Sequence, residues 1–153
     1  MTYKTHIAGA IALTLILDTQ LPLTPKQEIL LYSSCVLGAL MPDIDHPTSK
    51  INTYNPFASL IGNCIGHRTI THSFLGLFIF DVILYMVNLK SLILGFSIGY
   101  ISHLLLDAMT VSGVPLLYPY KKKFRMMRLR TNTEHETIVL GLIVVFIGWF
   151  IFR

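Results

Sequence analysis

Charge is scarce in this chain. Only 13% of its 153 residues are Asp, Glu, Lys or Arg, against 53% hydrophobic residues and a mean hydropathy of +0.62. That balance is too apolar for an ordinary soluble domain. Carboxylates are the scarcer sign, with 8 Asp and Glu against 12 Lys and Arg, for a net charge of +4. Thiols are nearly absent as well. Cys35 and Cys64 each stand alone with no second thiol at ligand spacing, so neither a CxxC metal site nor a disulfide framework is indicated, and both read as packing residues. No small-x-small cleavage pattern follows the apolar stretch after Lys4 before Pro22 and Pro25. That stretch is expected to remain in the mature protein. Internal repeats, low-complexity tracts and a second-domain linker are also missing, so residues 1–153 read as one membrane-embedded domain.

What the chain has in quantity is apolar sequence, in five segments. They cover residues 7–17 (starting as early as Tyr3), 28–41, 70–88, 92–109 and 137–152. The first is short against the roughly 20 residues of a membrane crossing. Pro42 disfavours helix at the residue before it and closes the second, and Thr133-x-x-Glu136 has the form of a capping box before the fifth. Lipid leaves a non-barrel chain no partner for open backbone groups. The expected fold is therefore all-α, an integral membrane bundle of about five transmembrane or membrane-embedded helices. The Gly content and Trp149 suit membrane helices.

Crossing by all five segments sorts the basic residues unequally. Lys4, Lys50, Arg68, Lys121, Lys122, Lys123, Arg125, Arg128 and Arg130 fall on one side, and only Lys26, Lys90 and Arg153 on the other. The positive-inside rule places the richer side in the cytoplasm of a multi-pass inner-membrane protein. The run from Lys121 to Arg130 interleaves cations with apolar residues, which suits anionic headgroups. Charge alone is compatible with nucleic acid, but beside a span a topology determinant is the commoner role, and the bilayer is the expected partner.

The scarce polar residues fall on that same side. They are His6; Asp43, Asp45 and His46 after Pro42; His67 and His72 flanking Arg68; His103 with Asp107; and Glu136. Ionisable groups near a bilayer are costly, and their concentration at one mouth is a functional-site hypothesis by default. Taken singly, each has a bland explanation. Asp-x-Asp-His is equally a polar turn. His67 reads as preceding the third helix and His72 as lying in its first turn, with Thr69 or Thr71 as cap. His103 and Asp107, four apart, share a helix face and could simply pair. Together, oxygen and imidazole donors suit a divalent ion such as Zn, Mn or Mg. Asp81, in mid-span, reads as an inter-helix group.

The strings Leu40-Met41-Pro42-Asp43-Ile44-Asp45-His46-Pro47, Gly66-His67-Arg68-Thr69-Ile70-Thr71-His72-Ser73, Gly99-Tyr100-Ile101-Ser102-His103 with Asp107, and Gly113-Val114-Pro115-Leu116-Leu117-Tyr118-Pro119 resemble, in order, the blocks of the YdjM-like family. That family is described as membrane-bound metal-dependent hydrolases, also as LexA-regulated inner-membrane proteins. The match at Glu136 is looser, since Glu134 could align instead. The resemblance implies one or two divalent ions held by His6, Asp43, Asp45, His46, His67, His72, His103 and Asp107. It also implies an ester or phosphoester substrate, lipid-linked or otherwise phosphorylated, with Asp45 or Glu136 as general base and Arg68 clamping a phosphate oxygen. The alternatives are a metal-binding membrane protein without hydrolase activity, as transporter or sensor, and a partner-docking protein. Transport would require donors through the midplane, where only Asp81 stands.

Overall fold

Short polar punctuation divides the apolar chain into helices. In a computed structural model, which describes residues 1–45, 70–120 and 122–153, these are α1 (Tyr3–Asp18), α2 (Pro25–Leu40), α3 (Phe74–Met86), α4 (Lys90–Ala108) and α5 (Glu134–Phe152), with a 3₁₀ turn at Met41–Asp45. Pro25 opens α2, where its missing N–H costs nothing, and the Gln27 side chain accepts the Thr24 N–H at 2.9 Å. Asn88, at φ 62°, reverses the chain between α3 and α4; Asn tolerates that left-handed conformation. The described residues contain no strand, only two isolated bridges in the loop before α5.

The all-α expectation holds with five helices, but their lengths do not support five crossings. Among the described residues only α4 and α5, of 19 residues each, are long and apolar enough to cross a bilayer. Helices α1 and α2 have 16 residues and α3 has 13. At 1.5 Å per residue these rise about 24 and 20 Å, against roughly 30 Å of hydrocarbon. Ser73 and the turn at Asn88 shorten α3 against the apolar segment at 70–88, whereas α1 and α2 are no shorter than theirs.

Helix α4 is the centre of the bundle, packed most extensively against α2 and also against α1 and α3, while α5 lies against α1. The α2–α4 contact is a backbone approach between small residues. A Cβ at Gly99 would overlap the carbonyl oxygen of Cys35 and sit 2.8 Å from the amide nitrogen of Ala39, and one at Gly38 would overlap the carbonyl oxygen of Phe96. In lipid, where apolar side chains gain little by leaving the tails, such close seams are what hold helices together. Cys35 is fully buried here and accepts from Thr14 Oγ1 at 2.9 Å, in keeping with a packing role; Cys64 lies outside the described residues. Around Tyr100, itself fully buried, Phe80 and Phe96 form an aromatic layer with ring centroids 5.9 to 6.1 Å apart.

The seam gives a direct test. Gly99→Val should cost about 3 kcal/mol or more, since overpacking against backbone cannot relax by rotamer change. Gly141→Val, where a Cβ meets nothing within 4 Å, should leave thermal unfolding in detergent unchanged. Equal melting temperatures for the two variants would show that the seam does not set the packing.

Candidate metal centre

Three contacts, one to backbone, one to a side-chain hydroxyl and one between rings, aim imidazoles at one end of the bundle. His103 lies one turn beyond Gly99, on the same face of α4, and its Nδ1 meets the carbonyl oxygen of Ala39 on α2 at 2.7 Å. A carbonyl only accepts, so Nδ1 carries the proton and Nε2 presents its lone pair inward. His72 sits just before the Ser73 N-cap of α3, with Nδ1 3.2 Å from Thr71 Oγ1. The Tyr100 hydroxyl donates to the carbonyl of Thr71, which ties the His72 segment to the aromatic layer. His6, in the second turn of α1, stacks on His103 with ring centroids 3.7 Å apart and planes 11° from parallel.

Two carboxylates meet these rings. Asp107 lies four residues beyond His103 and approaches His6 Nε2 at 3.4 Å, His72 Nε2 at 3.7 Å and His103 Nε2 at 3.8 Å. Asp43, in the 3₁₀ turn, approaches His72 Nε2 at 3.6 Å and His103 Nε2 at 3.8 Å. His6, Asp43 and His103 form one group, and His72, His103 and Asp107 another, each with donor atoms all within 4.8 Å of one another. Every side chain is fully buried or nearly so except Asp43, which is 22% exposed and marks the open side. Burial pushes the Asp43 carboxyl up, but contact with His72 and any positive charge on the facing imidazoles of His103, His6 and His72 outweigh it and hold the group well below the usual carboxylate range.

The donor chemistry fits a divalent ion. Neither ring nitrogen of His6, nor Nε2 of His103, has a hydrogen-bond partner among the described residues, and buried polar groups are otherwise almost always satisfied. Two buried carboxylates also need compensating positive charge. The amino group of Met1, 2.6 Å from Asp107 Oδ1, supplies one such charge. Two imidazolium rings stacked face to face would repel one another, so protonating both His6 and His103 is a poor source of the second.

Residues 1–152 match the profile of the YdjM inner membrane protein family. The chain belongs to that family. It is 38% identical over 144 residues to YvsG of Bacillus subtilis, covering 92% of this chain and 88% of YvsG. To the inner membrane protein YdjM of Escherichia coli it is 37% identical over 100 residues, 61% of this chain and 51% of that protein, and the Shigella flexneri counterpart matches equally. The chain thus spans about half the length of these enteric relatives. No solved structure matches.

The family member assembles five of the expected donors, His6, Asp43, His72, His103 and Asp107. Expected residues His46, His67 and Arg68 lie outside the described residues; Asp45 ends the 3₁₀ turn, and its side chain lies outside them too. Glu136 belongs to neither group. Its Oε1 accepts from the Thr2 amide and from Thr5 Oγ1 at 2.9 Å, and its Oε2 accepts from the Asn132 N–H at 2.6 Å. The expected Thr133–Glu136 capping box is accordingly absent. Thr133 Oγ1 instead donates to the carbonyl of Arg130, and the Glu136 carboxylate straps the N-terminal residues to α5. Likewise Ser73, not Thr69 or Thr71, caps α3, accepting from the Gly76 N–H at 3.2 Å, so His72 precedes that helix rather than entering its first turn. Asp81 pairs between helices, accepting from Ser97 Oγ at 2.9 Å. The contributions of Ala39, Thr71, Tyr100 and Thr5 had no sequence signal, except that a Ser immediately before an apolar run does mark a cap at Ser73.

Glu136→Ala strands two donors of the N-terminal segment, the Thr2 N–H and Thr5 Oγ1, and one of the loop before α5, the Asn132 N–H. It should cost about 1–3 kcal/mol per stranded buried group, read as a lower melting temperature in detergent, whereas Glu134→Ala should melt as wild type.

Proposed function

We propose that this protein is a membrane-bound, metal-dependent hydrolase of an ester or phosphoester, with its polar mouth at headgroup depth on the cytoplasmic face of a multi-pass bundle. The observation that carries the reading is the pair of buried inward nitrogens, His6 Nε2 and His103 Nε2, without hydrogen-bond partners among the described residues and beside two carboxylates. Imidazole with carboxylate is a donor set suited to Zn or Mn, and less so to Mg. Because His103 Nδ1 is committed to Ala39, that ring offers one lone pair. The two donor groups share it, which favours alternative positions of one ion over a two-ion site among these residues.

A divalent ion held there supplies Lewis acidity and makes water a nucleophile near neutral pH without a serine or cysteine. The chain's own residues supply position and proton handling. Ala39 fixes the His103 ring, Thr71 and Tyr100 fix the segment bearing His72, and partly exposed Asp43 faces the side from which a substrate enters. Asp45 is assigned as proton acceptor in preference to Glu136, whose oxygens are already occupied. Arg68 is assigned to a phosphate oxygen, bidentate. The water oxygen bonds to phosphorus, the ester P–O bond breaks, and the leaving oxygen takes up a proton as alcohol.

Purified protein reconstituted with Zn or Mn should retain about one equivalent by elemental analysis. Asp43→Ala with His103→Ala should retain none and Glu136→Ala should retain it all. A wild type that holds no ion removes the reading. Lipid phosphatase and phospholipase assays on the loaded protein should show turnover that His103→Ala abolishes; turnover unaffected by that change would assign the chemistry elsewhere.

A further inference from the structure

The loop between α4 and α5 builds a second feature beside the polar centre. Phe74, Leu117, Tyr120 and Phe124 wall a cavity of about 580 Å³, with Lys122 and Lys123 also lining it. That volume is within the range of small-molecule sites, roughly 300–1,000 Å³. Its walls are fastened at both ends to the donor segments. The Phe74 N–H, two residues past His72, donates to the carbonyl of Leu116 at 3.0 Å. Val114 and Phe124 exchange backbone hydrogen bonds at 3.1 and 2.8 Å, and the Met126 N–H donates at 2.8 Å to the carbonyl of Ala108, the residue after Asp107.

The composition of the cavity selects its occupant. A free anion has no use for four apolar walls, and an uncharged amphiphile leaves two lysines without counter-charge. The surroundings indicate the source. Leu117 is 69% and Tyr120 76% exposed, and Phe124, Met126 and Met127 are exposed between Lys122, Lys123, Arg125, Arg128 and Arg130. In a chain of an inner membrane family, an exposed loop of aromatic, apolar and cationic side chains belongs among headgroups.

We propose that this cavity binds an anionic membrane lipid, one acyl chain against Phe74, Leu117, Tyr120 and Phe124 and the phosphate on Lys122 and Lys123. Its role as the substrate's binding site rests on the hydrolase reading; the binding itself does not. The walls of the cavity are hydrogen-bonded to the segments that carry His72 and Asp107, through Phe74 to Leu116 and Met126 to Ala108.

The test uses the full chain, stripped of metal so that no turnover is read, in phosphatidylcholine nanodiscs. Trp149, the one tryptophan, is replaced by Phe, and Tyr120→Trp places a reporter on the cavity wall. Phosphatidic acid with dibrominated chains should quench that reporter at about tenfold lower mole fraction than dibrominated phosphatidylcholine. Lys122→Gln with Lys123→Gln, both exposed and outside the fold's packing, should abolish the preference. Equal quenching by the two lipids, a preference that survives the double change, or recovery of fluorescence on adding inorganic phosphate would each overturn the proposal. Failure here leaves the hydrolase reading standing, and failure of the hydrolase assays leaves this binding standing.

Discussion

A single hydrogen bond links the packing of this protein to its chemistry, the 2.7 Å contact from His103 Nδ1 to the carbonyl of Ala39. It exists only because α2 and α4 touch backbone to backbone at Gly38 and Gly99, where any Cβ would collide with the facing chain. Without that approach the Ala39 carbonyl recedes and His103 loses its fixed tautomer. Orientation of a ligand imidazole by a partner on its other nitrogen is a general device of metal sites. Here the partner is main chain, so its carbonyl survives any change of the Ala39 side chain that keeps the helix seam.

The remaining donors are positioned by similarly indirect means. Asp107 follows from His103 by one helical turn. His72 is held through Thr71 by Tyr100, whose ring is packed against Phe80 and Phe96. His6 is held by its stacking on His103 and by the strap from Glu136 to Thr2 and Thr5. Four of the five described helices therefore contribute, directly or through their flanking residues, to one largely buried cluster. Burying two carboxylates costs several kcal/mol each unless cations meet them, and this is why the cluster is read as a binding centre rather than as incidental polarity.

How much of this was legible in the sequence depended on whether the contact was local. His103 and Asp107 announce themselves by spacing, and Asp43 by the proline before it. Asp81 was placed correctly between helices. Helix ends were harder at α3, where composition alone assigns residues 70–88 and the Ser73 cap and the turn at Asn88 confine the helix to Phe74–Met86. Glu136 misled for a different reason. Thr-x-x-Glu is a local pattern, whereas its carboxylate is claimed by Thr2 and Thr5, more than 130 positions away along the chain, a tertiary preference that no local reading contains. The glycines of α4 read as generic membrane composition; their role became visible only against the facing carbonyls of α2.

X-ray absorption at the metal edge of the zinc-loaded protein tests the central claim most directly. The account predicts a shell of nitrogen and oxygen at about 2.0–2.1 Å with the outer scattering of imidazole rings, reduced by one ring in His103→Ala. A sulfur shell near 2.3 Å, or a spectrum without imidazole scattering, would contradict it.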